Sequence, residues 1–134
     1  MLVKCTSNHT TSLSETAAAS AGKQMAIEDV NLVVGATYVV LGLVIDGVYP
    51  WFLVCEGADD DYPVAHISQF FEIVDPSVDP DWVLAHDDQL GGFAFLPRRW
   101  AGRACFIEDL VSGDKAAISE FLEIRRVAES RYRQ

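Results

Sequence analysis

The chain has 134 residues, half of them apolar and 22% charged, so it is long enough for one compact domain and too apolar to be disordered throughout. Ten Lys and Arg against twenty Asp and Glu leave a formal net charge of −10. This sign argues against nucleic acid and anionic membranes as partners, and it suggests either a role in solubility or a basic partner. No apolar run reaches the ~18 residues that a bilayer-spanning helix needs.

Three cysteines, Cys5, Cys55 and Cys105, are widely spaced along the chain. An odd number without a Cys-x-x-Cys pair argues against a disulfide framework and against a zinc site. The N-terminal segment turns polar at Thr6 and lacks the apolar region of a secretory signal. We therefore expect a cytoplasmic protein with free thiols, with no metal and no cofactor.

The chain divides by composition into three parts of a single domain, residues 1–134. Residues 6–31 are rich in Ser, Thr and Ala and are predicted to form a long flexible loop. A β-rich part is predicted on both sides of this loop, over residues 1–5 and 32–96. A helical part over residues 97–128 follows it.

In the β-rich part, β-branched and aromatic residues predict one near-continuous strand over residues 37–45 and a returning strand over residues 51–56. Asp46-Gly47 begins a five-residue turn between them, because Asp-Gly is a strong hairpin signal. A third strand over residues 62–67 contains Pro63, which predicts that this strand lies at an edge or is short. Short apolar segments follow at residues 72–74, 82–86 and 93–96. These strands suit a small curled antiparallel sheet or a small barrel.

Helices are predicted after Pro97, a residue that suits the first turn of a helix. One helix over residues 106–111 ends at Gly113, and Asp114 caps the next helix. We expect the apolar face of that helix to contain Ile118, Phe121 and Leu122, with Arg125 one turn further on. The predicted fold class is therefore α+β, a small antiparallel sheet or barrel followed by C-terminal helices.

The order of several short motifs resembles a known class of protein. In chain order the motifs are Lys4-Cys5, Asn8, Leu32, Gly35, Tyr38-x-Val40, Trp51-Phe52-Leu53-Val54, Tyr62-Pro63 and Phe71-Glu72. Over residues 1–74 this order resembles the small SH3-like barrel proteins of bacteria and phages. The helical part is similar to segments of immunity proteins of bacterial toxin systems. The resemblance implies a binding role and carries over no catalytic residue, because SH3-like barrels serve many unrelated binding functions.

Charge is distributed unevenly along the chain. Between Lys23 and Arg98 there is no Lys or Arg but there are thirteen Asp and Glu, and eight of the ten basic residues follow position 97. Turns favour Asp because its side chain bonds nearby backbone groups, and this alone can explain the acids. The alternative is an acidic surface that steers a basic partner, with an association rate that falls as salt rises.

Aromatic side chains, which commonly anchor protein interfaces, are interleaved with these acids. We therefore predict a partner-binding surface made of acidic turns and aromatic anchors. Its candidate residues are Tyr49, Trp51, Asp59, Asp60, Asp61, Tyr62, Asp79, Asp81, Trp82, Asp87 and Asp88. Trp51 is equally compatible with a place in the core, and Trp82, in an acidic segment bounded by proline, is the one of the two that we expect to be exposed.

Two other chemistries are disfavoured by the residue pattern. The run of Asp at residues 59–61 lacks the spacing and the terminal Glu of a calcium loop, and the histidines lack metal-ligand spacing. A thiol enzyme would need Cys55 or Cys105 to meet a histidine in space, with His66 and His86 available.

The sequence thus predicts a non-enzymatic acidic binding protein. The first hypothesis is an immunity or inhibitor protein that neutralises a basic toxin or effector domain by occluding its site. The alternative is an SH3-like peptide-binding or regulatory module of bacterial or phage origin.

Overall fold

The structure is a computed structural model that describes residues 1–9, 31–46 and 49–132. Most of the predicted flexible loop, residues 10–30, therefore lies outside the described residues. The fold class is the predicted one, α+β with antiparallel sheets and C-terminal helices.

Among the described residues, the strands are β1 (Leu2–Cys5), β2 (Thr37–Val39), β3 (Gly42–Asp46), β4 (Tyr49–Val54), β5 (Val64–Ile67), β6 (Phe71–Asp75), β7 (Trp82–Asp87) and β8 (Gly92–Pro97). The helices are α1 (Arg98–Ala101), α2 (Phe106–Val111) and α3 (Lys115–Ser130). Single 3₁₀ turns at Ser68–Phe70 and Asp88–Leu90 precede β6 and β8.

The strands form two antiparallel sheets. The smaller sheet has the order β2-β1-β6, and the larger sheet has the order β5-β4-β3-β8-β7. Neither sheet closes into a barrel within the described residues, so of the two predicted architectures the open sheet is the one found. β5, which follows Pro63, lies at an edge of the larger sheet as predicted.

The predicted continuous strand over residues 37–45 is interrupted at Val40 and Leu41. The Val40 N–H donates to the Met1 carbonyl oxygen at 3.0 Å, and the Leu41 N–H donates to that of Leu53 at 2.8 Å. The chain crosses here from the smaller sheet to the larger one. Both side chains are buried, so the apolar run reflects burial in two sheets and not one long strand.

The hairpin between β3 and β4 is tighter than predicted. The two strands pair as far as Asp46 and Tyr49, so the connection is two residues and not five. Residues 47 and 48 lie outside the described residues. Asp46, which was predicted to begin the turn, is instead the last residue of β3 and pairs with Tyr49.

Aromatic contacts join the layers of the core. Phe71 of β6 packs against Phe52 of β4 with ring centroids 5.6 Å apart, and it lies edge-on to His66 of β5 at 6.5 Å. These contacts connect the two sheets. On the helical side, Trp100 of α1 contacts one ring of α2 at 5.4 Å and one ring of α3 at 6.3 Å.

Helix α3 begins as predicted, with the Asp114 carboxylate accepting the Ala116 N–H at 3.1 Å. Its buried residues are Ala117, Phe121 and Ile124. Leu122, which we expected on the buried face, is exposed. The buried stripe of α3 is therefore displaced around the helix from the predicted stripe. The spacing of apolar residues indicates that a helix has an apolar face, but it does not determine which part of that face the rest of the protein covers.

Candidate functional site

The predicted contact residues fall into two groups on the larger sheet. Residues 59–62 precede β5 at one edge, with Tyr49 and Trp51 in the neighbouring strand β4. Residues 79–82 and 87–88 lie at the two ends of β7, which forms the other edge. Neighbouring strands lie ~4.8 Å apart, so the two edges are separated by ~19 Å. The structure therefore does not gather these residues into one small site.

The acidic turn before β5 is tied to helix α3 by Asp60. The Asp60 carboxylate accepts the Gly57 N–H at 2.8 Å, and its carbonyl oxygen accepts Nη1 of Arg125 at 2.7 Å. Arg125 Nη2 also donates to the Gly57 carbonyl oxygen at 3.1 Å. Asp60 thus stabilises the turn, whereas Asp59 is exposed and Asp61 is half-buried.

The predicted aromatic anchors differ in exposure. Trp51 is 1% exposed and belongs to the core, so we leave it out of the contact surface. Tyr49 is half-buried against the same core, whereas Tyr62 is exposed. Trp82, which we expected to be exposed, is also half-buried against the core. It is the first residue of β7 and pairs with Pro97, so strand pairing and not the preceding loop decides its exposure.

The acids before β7 shape the turn that leads into this strand. The Asp79 carboxylate accepts the Asp81 N–H at 2.8 Å and lies 3.1 Å from Nη2 of Arg131. Its carbonyl oxygen accepts the Trp82 N–H at 3.0 Å. The Asp81 carboxylate lies 3.9 Å from Nε of Arg98. Both acids therefore have an arginine from the C-terminal part nearby, and the Asp79 carboxylate also accepts a hydrogen bond from the backbone of its own turn.

Two acids stand at the end of β7: Asp87 is its half-buried last residue, and Asp88 follows it. The Asp87 carboxylate accepts the Gln89 N–H at 2.9 Å and so caps the 3₁₀ turn. Asp88 is almost fully exposed, and its carboxylate lies 3.5 Å from Nδ1 of His86. His86 in turn stands edge-on to Phe93 with ring centroids 5.3 Å apart. This end of β7 presents a carboxylate to solvent beside an aromatic ring.

The larger sheet carries an apolar patch that the sequence analysis missed. Side chains that pair directly across strands point to the same face. Ile45 pairs with Phe93, and Leu84 pairs with Phe95, two residues along the same strand as Phe93. Ile45, Leu84 and Phe93 are 45%, 57% and 54% exposed. We call Ile45, Leu84, Phe93 and Phe95 the apolar patch; only strand pairing reveals it, because apolar runs do not show which face of a sheet is covered.

A cavity of about 450 Å³ lies on the other side of the same edge, between β7 and the connection from α1 to α2. Its lining includes Ala85 and Asp87 of β7 together with residues 101–105. Successive side chains of a strand point to opposite faces, so Ala85 points away from the face that carries Leu84. The cavity and the apolar patch therefore lie on the two faces of one edge strand.

A second cavity of about 450 Å³ lies beside β2, the turn after β4 and helix α3. Its charged lining includes Arg125 and Glu129. These two side chains bond each other, Nε to Oε1, at 2.6 Å. Their mutual pairing makes this cavity a poorer ligand site than its size suggests.

The thiols and the buried histidine differ in chemistry. Burial raises the pKa of Cys55 to about 12, and its Sγ lies 3.7 Å from the Tyr62 carbonyl oxygen, so this thiol is a poor nucleophile. His66 is fully buried, and burial lowers its pKa to about 4. Its Nε2 lies 3.3 Å from Oε2 of Glu56 without hydrogen-bond geometry. Cys105 is exposed, with a backbone φ of +60°.

Among residues 1–9, 31–46 and 49–132, no cluster of three or more His, Cys, Asp or Glu is arranged to hold a metal ion. In that same part of the chain, no helix is long and apolar enough to cross a membrane. Comparisons with protein-family models, with curated proteins and with solved structures find no match to this chain.

Proposed function

We propose that this chain is a non-enzymatic acidic binding protein whose partner is a basic protein. The observation that supports this best is the apolar patch, with Ile45, Leu84 and Phe93 about half exposed next to the open carboxylate of Asp88. Contiguous exposed apolar side chains with a polar rim are typical of interaction sites. Phe93 connects the apolar patch to Asp88, because the His86 ring stands edge-on to the Phe93 ring and lies 3.5 Å from the Asp88 carboxylate.

The two kinds of side chain have different tasks in this proposal. The net charge of −10 attracts a basic partner from a distance and raises the association rate at low salt. The apolar patch loses its contact with water when the partner docks, and this slows dissociation. Asp88, on the rim, thus acts mainly on association, and Leu84 acts mainly on dissociation.

Within this class we favour a cytoplasmic immunity or inhibitor protein that occludes the site of a basic toxin or effector domain. An acidic surface complements a domain that binds nucleic acid, because such domains are basic. The buried free thiols Cys5 and Cys55 suit a reducing compartment. The alternative, an SH3-like peptide module with an aromatic groove, is less favoured because Trp51 is in the core and Trp82 is half-buried.

Binding kinetics of single variants test the proposal. The tagged chain is used to capture its basic partner from the host, and association and dissociation are then measured at rising salt with purified proteins. We expect Leu84→Ser to speed dissociation about tenfold or more and Asp88→Asn to slow association about twofold at low salt. Matched controls are Leu122→Ser, an exposed leucine on α3, and Glu72→Gln, an exposed acid on β6.

The controls decide where the partner binds. Equal effects of Leu84→Ser and Leu122→Ser would remove the apolar patch from the contact surface. An association rate that does not change with salt would contradict the choice of a basic partner.

A further inference from the structure

The edge strand β7 has peptide groups that face outward, and the pairing of β7 with β8 shows which they are. In an antiparallel pair, hydrogen-bonded residue pairs alternate with pairs that are not bonded to each other. The Arg98 N–H donates to the Asp81 carbonyl oxygen at 3.1 Å, one step beyond the last paired residues of β7 and β8. This pair is therefore a hydrogen-bonded one, and it sets the alternation along the whole of β7.

Counted from that pair, Val83 and Ala85 direct their N–H and C=O groups towards β8. Leu84 and His86 direct theirs away from β8, to the outside of the sheet. No described strand pairs with β7 on that side, and in the described part of the chain these two N–H groups have no other hydrogen-bond acceptor. Both side chains are exposed as well. β7 thus presents outward N–H and C=O groups at two alternate residues, Leu84 and His86, as an incoming antiparallel strand requires.

The other sheet edges are poorer templates for an added strand. β2 has three residues and β5 has four, and β5 directly follows Pro63. The pairing of β6 with β1 is broken by a bulge. β7 has six residues that pair with β8 without a register shift. Short or bulged edges resist strand addition, so β7 is the edge best suited to it.

An added strand would find a surface for its side chains on each face. On one face its side chains would lie beside Leu84 and the apolar patch. On the other face they would lie next to the 450 Å³ cavity that Ala85 and Asp87 help to line. In strand addition, main-chain hydrogen bonds supply affinity and pockets for alternate side chains supply specificity.

Charge decides between a partner segment and a second copy of this chain. Acids stand at both ends of the edge: Asp81, with Nε of Arg98 3.9 Å away, before β7, and the almost fully exposed Asp88 after it. If two copies paired antiparallel through β7, the Asp88 end of each would meet the Asp81 end of the other, and like charges would face each other. A segment with basic residues at its ends would instead be attracted at both.

Resting on the proposed function, we infer that the partner binds by adding an extended basic segment to β7, hydrogen-bonded to the outward peptide groups of Leu84 and His86. The segment is antiparallel to β7, with an apolar residue beside Leu84 and Lys or Arg near Asp81 and Asp88. Its alternate side chains enter the cavity under Ala85.

Amide hydrogen exchange measured by NMR on the whole chain tests this inference without an identified partner. The probe is a blocked seven-residue peptide of alternating lysine and valine, and the control peptide has glutamate in place of lysine. In the chain alone, the amides of Leu84 and His86 exchange fast while those of Val83 and Ala85 are protected. The lysine peptide slows exchange at Leu84 and His86 about tenfold or more, and the glutamate peptide does not.

A pair of variants at one position isolates the backbone hydrogen bond. His86→Pro and His86→Ala both remove the imidazole, but only proline removes the outward N–H. Proline is tolerated on an edge strand where the N–H faces solvent. We expect the proline variant to bind the lysine peptide about tenfold more weakly than the alanine variant. If the proline variant does not fold, the exchange experiment on the unaltered chain decides.

Three results would overturn strand addition: protection of the Leu84 and His86 amides in the chain alone, a dimer that protects them, or a lysine peptide that leaves them unprotected. The proposed function fails separately. If a basic partner binds through Leu84 but equally well to both His86 variants, the function stands and strand addition falls. If the lysine peptide protects these amides and no basic protein partner binds, strand addition stands and the function falls.

Discussion

Arg125 of helix α3 donates from Nη1 to the carbonyl oxygen of Asp60 at 2.7 Å, across 65 positions of sequence. The same guanidinium donates from Nη2 to the Gly57 carbonyl oxygen at 3.1 Å. Its side chain is 12% exposed. One arginine therefore holds the C-terminal helix against the turn that leads into β5.

Replacing Arg125 by methionine should destabilise the protein by about 2–3 kcal/mol, because two backbone carbonyl groups lose a charged donor at a largely buried position. The control is Arg126→Met, since Arg126 is 60% exposed and pairs with Glu123 one turn away. That change should cost less than ~0.5 kcal/mol. Urea unfolding of both variants measures the difference, and equal losses would show that the contact with Asp60 contributes little.

Gly42 is a second position where the structure sets a clear expectation. A Cβ there would lie 2.9 Å from Cδ2 of Leu96 and 3.0 Å from Cδ1 of Leu53, both fully buried side chains. Gly42→Ala should therefore lower the free energy of unfolding by about 1–3 kcal/mol. Gly102→Ala is the control, because its Cβ would meet only the Arg98 carbonyl oxygen at 3.5 Å. A Gly42→Ala protein as stable as its control would contradict the tight packing of β3 against β4 and β8.

Local sequence signals predicted helices and strands well where a single residue type restricts the backbone conformation or its hydrogen bonding. Asp114 caps α3 as predicted, and the strand next to Pro63 lies at an edge as predicted, although it begins at Val64 and not at Tyr62. The break at Val40 and Leu41 was missed because buried apolar residues are expected both in one long strand and in a crossing between two sheets. The chain changes sheets there, and strand propensity does not indicate which sheet a residue joins.

The candidate site was predictable only in part. Asp88 is open to solvent, as expected of an acid in a surface turn, whereas Asp60 points its carboxylate at its own turn. The apolar patch was not predictable, because the exposure of Leu84 and Phe93 follows from what covers each face of the sheet. That coverage depends on contacts between distant parts of the chain.

His66 should make stability depend on pH. Burial lowers its pKa in the folded protein from 6.5 to about 4, so below pH 6.5 the unfolded chain binds a proton that the folded chain does not. Stability is therefore fully present above pH 6.5 and is lost as the pH falls towards 4, by about 2 kcal/mol between pH 7 and pH 5. His66→Leu removes this group, so the variant should lack that part of the pH dependence in urea unfolding. Parallel pH profiles for the two proteins would refute the assignment.

The three thiols should react at very different rates. Cys105 is exposed, whereas Cys5 and Cys55 are buried, and burial raises the pKa of both buried thiols. In the folded protein we expect an alkylating reagent to modify one thiol quickly and the other two only on unfolding. Cys105→Ser should abolish the fast phase while leaving the slow one. A fast phase that survives this change would place Cys5 or Cys55 at the surface.

The arginines that meet the acidic segment come from the end of the chain. Arg125 bonds the carbonyl oxygen of Asp60, and Arg131 pairs with the Asp79 carboxylate. During synthesis the sheet with its acidic turns leaves the ribosome first, and these arginines follow. For that interval the growing sheet carries its negative charge without these counter-charges. Docking of the last helix therefore brings these counter-charges to the acidic turns, and the repulsion among the acids of the sheet is reduced only at that late step.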